Sequence, residues 1–268
     1  MCGFCDIENN TETVKIFSEE EYEKLIAGIA AGLISVNNLP VDVYLKIARK
    51  LTEGVVEGFG LGFEGVDIDS ADYRMLFDLR RNVWVFSGAK TYQQVREVSS
   101  LLTYPDKNEI LTFADFSKKA KEILVRYNES WLSAEYATAI SSSRSASQWM
   151  QFEKDADLYN KLEYHTVGDS RVRPTHKELD GIVRPVNDKF WDNYMPPNGW
   201  RCRCTVLQGD EEMKTTSLKG FKQPNDVPDI FMMNAGKDRI VFSPKQPYFK
   251  VAPKDKALAR NNFNLPLP

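Results

Sequence analysis

Residues 168–199 hold four turn-forming pairs: Gly168-Asp169, Asp180-Gly181, Pro196-Pro197 and Asn198-Gly199. A long helix cannot run through such a segment, because each pair redirects the backbone or removes an amide donor. Only short elements fit between them. The β-type pieces 162–167, 182–186 and 204–207 fill the gaps and predict a small, loop-rich, aromatic-rich unit beginning near Tyr159.

Upstream the texture is helical. Ser18 followed three residues later by Glu21 reads as a capping box, and Tyr22, Leu25, Ile26, Ile29, Leu33 and Ile34 follow at helical spacing. Asn37 to Pro40 stops that helix, and Pro40 suits the first turn of the next, whose apolar face runs from Tyr44 to Val56. After a glycine-rich break at Gly58, Gly60, Gly62 and Gly65, one helix is expected from about residue 69 to 86 and a shorter one over 90–103. From Thr112 to Leu158 one or two long helices are expected, with Phe113, Phe116, Ile123, Leu124, Tyr127, Trp131, Trp149 and Phe152 inward and a weak point at the serines of 141–147. Beyond Gly209 a strand pair, 230–233 with 239–242, is predicted before an irregular tail. The fold class is therefore α+β, divided as a helical region 1–157, a small β-containing domain 158–210 and an extension 211–268.

Charge narrows the function classes. The chain of 268 residues has 35 basic and 38 acidic residues, a net of −3. That balance does not suit a protein that coats nucleic acid. Residues 1–160 carry −8 and residues 211–268 carry +4, so the two ends are expected to meet different partners. Lys237, Arg239, Lys245, Lys250, Lys254, Lys256 and Arg260 could contact DNA, but a net of +4 supplies only a modest counterion-release term and a solvated, charged tail is the preferred reading. The longest apolar run, 25–36, is about half of a bilayer span, and no signal-peptide pattern opens the chain. A soluble protein in a reducing cytosol, with thiols rather than disulfides, is expected.

The motif search excludes several chemistries. Gly60-Leu61-Gly62-Phe63-Glu64-Gly65 matches a dinucleotide fingerprint in letters, but a helix precedes it where a strand is required. His176-Lys177-Glu178 lacks the second histidine of a zincin, and no nucleophile elbow is present. The cysteines leave three readings open. Cys2, Cys5, Cys202 and Cys204 could share one zinc; closing that loop of ~200 residues costs about 5 kcal/mol, less than structural zinc returns. Alternatively His176, Cys202 and Cys204 bind zinc with Asp169 or water as fourth ligand. In the third reading, Cys202 and Cys204 are small buried apolar residues, and Cys2 and Cys5 lie at a frayed end.

Residues 164–205 also carry a long ordered pattern: D-x-R-x-R-x-x-H-x-x-L-D-G, then D-x-F-W, then P-P-N-G-W-x-C-R-C. Physically, Asp169 and Asp180 can accept from turn amides or clamp Arg171 and Arg203, Gly181 and Gly199 supply unusual backbone geometry, and Trp191 and Trp200 supply buried area. The pattern resembles the signature of the phage Mu F-like head-morphogenesis family, minor head proteins of tailed bacteriophages. The resemblance implies a component of the virion head or procapsid, made in the host cytoplasm. It would act with portal or major capsid protein in head assembly, DNA packaging or early DNA delivery, without a settled catalytic activity. In this reading Asp169, Arg171, His176, Asp180, Gly181, Trp191, Gly199, Trp200, Arg203, Cys202 and Cys204 hold the fold. The alternative is a metal-assisted hydrolase or nuclease at Asp169, Arg171, His176, Cys202 and Cys204, with Glu178 or Asp180 as base.

Overall fold

The computed structural model describes residues 13–102, 112–221 and 227–268. It is an α+β protein. Two compact units are present, and neither is a contiguous stretch. Of the described residues, one unit takes those within Glu53–Arg80 and Ala137–Lys245, and the other those within Thr11–Thr52, Arg81–Tyr136 and Gln246–Pro268. The sequence reading instead divided the chain at 157 and 210. The difference arises because pairing of distant segments, rather than local texture, defines a compact body.

The helical unit contains α1 (Glu19–Ala30), which starts as expected: Glu21 N–H donates to Ser18 Oγ at 3.3 Å and Ser18 N–H to Glu21 Oε2 at 2.9 Å. It also holds most of α2 (Val41–Phe59), the later two-thirds of α3 (Ala71–Ser100), α4 (Phe113–Val125) and the start of α5 (Leu132–Lys154). Where two helices were expected across 69–103, α3 is unbroken. Its Ser87-Gly88 step does not interrupt it, because Ser87 Oγ donates to Val83 O at 2.7 Å and Thr91 Oγ1 to Ser87 O at 2.8 Å, so both hydroxyls are satisfied within the helix. Gly88 is small for a reason, since a Cβ there would come within 2.7 Å of the Asn262 side chain.

Asn262 belongs to the C-terminal segment, which is an integral part of this unit. Phe263 stacks on Tyr92 at 4.9 Å, Tyr44 Oη donates to Pro266 O, and Tyr92 Oη donates to Asp255 Oδ2 at 2.7 Å. Between α4 and α5 the chain widens into a π-helical turn, Arg126–Trp131, and there the Tyr127 carbonyl accepts from Lys90 Nζ at 2.6 Å. Lys90 is fully buried and also pairs with buried Glu135, which accepts a second bond from Tyr248 Oη at 2.9 Å. Two expectations fail on exposure. Phe113 lies 62% exposed at the first turn of α4, and Trp131 is also exposed.

The second unit is built on a three-stranded antiparallel sheet in the order β2-β1-β3, with β1 at Lys161–His165, β2 at Val183–Pro185 and β3 at Thr205–Gly209. Leu162 sits opposite Arg184 and Gln208, and the alternation along β1 buries Leu162 and Tyr164. These pack with Trp149, Phe190, Trp191 and Val206 into one core. The serine stretch expected to weaken α5 is helical throughout, with Ser142, Ser143 and Ser145 buried. Small residues also allow close crossing of α2 and α5. A Cβ on Gly58 would lie 2.0 Å from the Ile140 carbonyl oxygen.

The strand pair expected over 230–242 does not form. Its place is taken by a 3-10 turn, Asp229–Phe231, and by the short α8 (Ala235–Asp238). Asn234 decides this by accepting on Oδ1 from the amides of Gly236 and Lys237, which starts a helical turn where a strand would need extended backbone. The glycine run at 60–65 is an inter-helix connection with one 3-10 turn. Among the described residues no helix is long and apolar enough to cross a membrane.

Candidate functional site

The short helix α6 (Pro174–Lys177) begins with proline at its first position and carries His176, which is buried. The loop 195–204 passes beside it and enters β3. His176 Nδ1 lies 3.3 Å from Cys204 Sγ and 3.7 Å from Cys202 Sγ, and the three atoms fall within 4.8 Å of one another. Residues 26 and 28 positions apart are thus brought together. Cys202 is buried and Cys204 half-buried. The hydrogen bond between the two thiol groups, followed by the His176 ring, holds the Cys202 thiol below its usual range, while the same hydrogen bond and burial push Cys204 up.

Asp169, expected as a possible fourth ligand, is engaged elsewhere. Arg203 grips it with Nη1 donating to Oδ2 at 2.7 Å and Nη2 to Oδ1 at 2.8 Å, and the Arg171 amide donates to Oδ1 at 3.0 Å. Its carboxylate is not a member of the three-atom group. The Arg203 guanidinium lowers the Asp169 carboxyl from 3.8 to about 2. Below pH ~4 an unfolded chain takes up a proton there that the native chain refuses, so stability present above pH 4 is lost between pH 4 and about 2. Asp169→Asn is expected to abolish that component of acid unfolding, followed by tryptophan fluorescence; an unchanged pH profile would contradict the clamp.

The other motif residues serve the backbone. Asp180 Oδ1 accepts from the Thr166 amide at 2.6 Å, and Gly181, at φ +75°, donates its amide to Tyr164 O at 2.8 Å. Gly199 does not have the expected left-handed backbone, which falls instead on Arg201 at φ 56°. Gly199 is needed for space, because a Cβ would press on the Arg173 guanidinium at 3.2 Å. Arg171 reaches Asp169 at 3.5 Å as an exposed ion pair, and Trp200 meets Phe231 edge-on at 5.1 Å. Trp191, in α7 (Trp191–Tyr194), is wholly buried and donates Nε1–H to Pro185 O at 3.0 Å.

Sequence reasoning missed two residues. Arg173 donates to Trp200 O at 2.7 Å. Asn198, wholly buried, accepts from Tyr164 Oη on Oδ1 at 3.0 Å, and its carbonyl oxygen lies 3.3 Å from His176 Nε2. The signal was present in R-x-R and P-P-N-G, but Asn198 was read only as half of a turn. Cys2 and Cys5 lie outside the described residues, and so does the four-thiolate reading. Of the basic residues considered for DNA, Lys237 is paired with Asp192 at 2.6 Å and Arg239 with Asp78 at 2.5 Å.

A sequence model described as Phage Mu protein F like protein matches residues 111–207, a span that contains α4, α5, β1, β2, the start of β3, the His176, Cys202 and Cys204 group and the Asp169–Arg203 clamp. Over that stretch the chain resembles the Mu F-like family. The Putative capsid assembly protein F of Escherichia phage Mu is 44% identical over 61 residues, which is 23% of this chain and 14% of that protein. The Mu-like prophage FluMu F protein of Haemophilus influenzae is 36% identical over 61 residues, 23% of this chain and 15% of that protein. The match therefore spans about one seventh of the length of these curated relatives. No solved structure matches. The Mu F-like match begins well before residue 158, so the helices leading into the sheet fall within it.

Proposed function

We propose that this phage head-related protein is a minor head protein that docks on portal or major capsid subunits and acts in head assembly, DNA packaging or early DNA delivery. The observation that carries the reading is the 44% identity to a capsid assembly protein. The hydrogen bonds among the motif residues agree with it, because Asp169, Arg173, Asp180 and Arg203 are each turned onto the chain's own backbone or onto one another, as suits a scaffold. The acidic first 160 residues offer a surface for a basic docking face. The basic residues toward the C-terminus add less, since Lys237 and Arg239 are already neutralised by Asp192 and Asp78.

A metal-assisted hydrolase or nuclease has weaker support. Asp169 is held by Arg203, His176 and Cys202 are buried, and a cavity of about 610 Å³ in this unit is lined by residues that include Trp149, Asn160, Lys161 and Lys237 and none of the cluster. The test is particle composition. Heads assembled by co-expressing this chain with cognate portal and major capsid subunits are expected to retain it through a density gradient; release on omitting portal would assign the docking to portal, and retention would assign it to major capsid subunits. Heads that form normally without retaining the chain would overturn the reading.

A further inference from the structure

We infer that His176, Cys202 and Cys204 bind one zinc ion per chain, the fourth position being filled by a solvent molecule. This inference does not depend on the role in head assembly and can stand or fall without it.

Two thiolates and one imidazole form a donor set suited to zinc, and their two negative charges balance the ion, so a buried centre is left without net charge. The spacing also fits. With Zn–S near 2.3 Å and Zn–N near 2.05 Å, tetrahedral geometry puts sulfur and nitrogen about 3.5 Å apart and the sulfurs about 3.8 Å apart. The observed Sγ to Nδ1 separations of 3.3 and 3.7 Å bracket the first of these, and all three atoms lie within 4.8 Å.

The chain holds these atoms ready for an ion. Cys202 and Cys204 are two apart just before β3, and both sulfurs lie near His176 Nδ1 while the intervening Arg203 is turned onto Asp169. Arg203 is pinned there by both oxygens of Asp169. A carbonyl oxygen can only accept, so the contact of His176 Nε2 with Asn198 O requires the hydrogen on Nε2 and leaves the lone pair on Nδ1. Histidine ligands are commonly oriented through the far ring nitrogen in this way. Asn198 is itself held through its side chain by Tyr164 Oη. Among the described residues no further His, Cys, Asp or Glu joins the group, and Cys204 is the ligand nearest to solvent, which leaves the fourth position to water. The ion would join α6 to the strand entry of β3 and fix the loop between them.

Metal analysis of the full chain, purified without chelator and dialysed against micromolar zinc, is expected to give about one zinc per chain. Cys204→Ser is expected to retain under about one tenth of that, while His165→Ala and the double variant Cys2→Ser/Cys5→Ser keep the full amount. Chelation is expected to lower the melting temperature of the wild type by roughly 5–10 °C. Should Cys204→Ser fail to fold, cobalt added to the metal-free wild type reads the same site, through a thiolate-to-metal charge-transfer band and intense tetrahedral absorption. A folded wild type that takes up neither zinc nor cobalt overturns the inference. Loss of zinc from the Cys2/Cys5 variant, which would put an N-terminal thiolate in the fourth position, overturns it too.

Discussion

Lys90→Met is expected to lower the unfolding free energy by about 3–5 kcal/mol, because it strands a carboxylate where water cannot reach. Lys90 and Glu135 are 0% and 2% exposed, and the ammonium has no solvent to lean on: its partners are the Glu135 carboxylate and the Tyr127 carbonyl. Burial pulls the Lys90 amine below its usual range, while Glu135 pulls the other way. Without the lysine, Glu135 keeps the Tyr248 hydroxyl as its remaining described bond, too little for a full charge in an apolar surround. The double variant Lys90→Met/Glu135→Leu removes both charges and is expected to recover most of the loss, since two apolar side chains of similar volume can fill the site. Urea denaturation followed by circular dichroism measures both variants. A single-variant loss below about 1 kcal/mol, or a double variant no better than the single, would show the pair to be solvated.

A comparable loss, about 3–5 kcal/mol, is expected for Trp191→Ala in the other unit. Trp191 is 0% exposed, stands edge-on to Phe190 at 4.9 Å, and its backbone carbonyl accepts from Asn234 Nδ2 at 3.1 Å. Truncation removes the area and leaves the Pro185 carbonyl without its indole donor. Trp200→Ala is the comparison. That ring is only partly buried and meets Phe231 edge-on, so the expected loss is about half as large or less. Equal losses at the two tryptophans would show that the core is not centred on Trp191.

What could be read in advance divides by the range of the interactions. The α1 start was legible because a capping box is completed within four residues, by Ser18 and Glu21. The three strands were legible because each is short, alternates and lies between turn pairs. The clamp of Asp169 on Arg203 was legible as one of a few ways to satisfy an acid among arginines. Elements settled by distant partners were not. A break was expected between residues 86 and 90, whereas α3 runs through and Gly88 there makes room for Asn262, 174 residues later. Ile230–Met233 had the composition of a strand, but Asn234 caps a helical turn beside it. Asn198 has the same two letters as any Asn-Gly turn; its burial between Tyr164 and His176 depends on the folded loop. Lys90 gave no sign of lying inside, because its carboxylate partner stands 45 residues away.

The interleaving of the two units has a practical corollary for anyone dissecting the protein. Among the described residues the backbone passes from one body to the other at 52/53, 80/81, 136/137 and 245/246. A single scission at any of these points leaves both products short of a piece that the other retains. Cutting after Lys245, for example, strips Tyr248 and Phe263 from the helices they seal. Fragments made by bisecting the polypeptide should therefore aggregate when expressed alone and regain solubility only when the complementary pieces are made together.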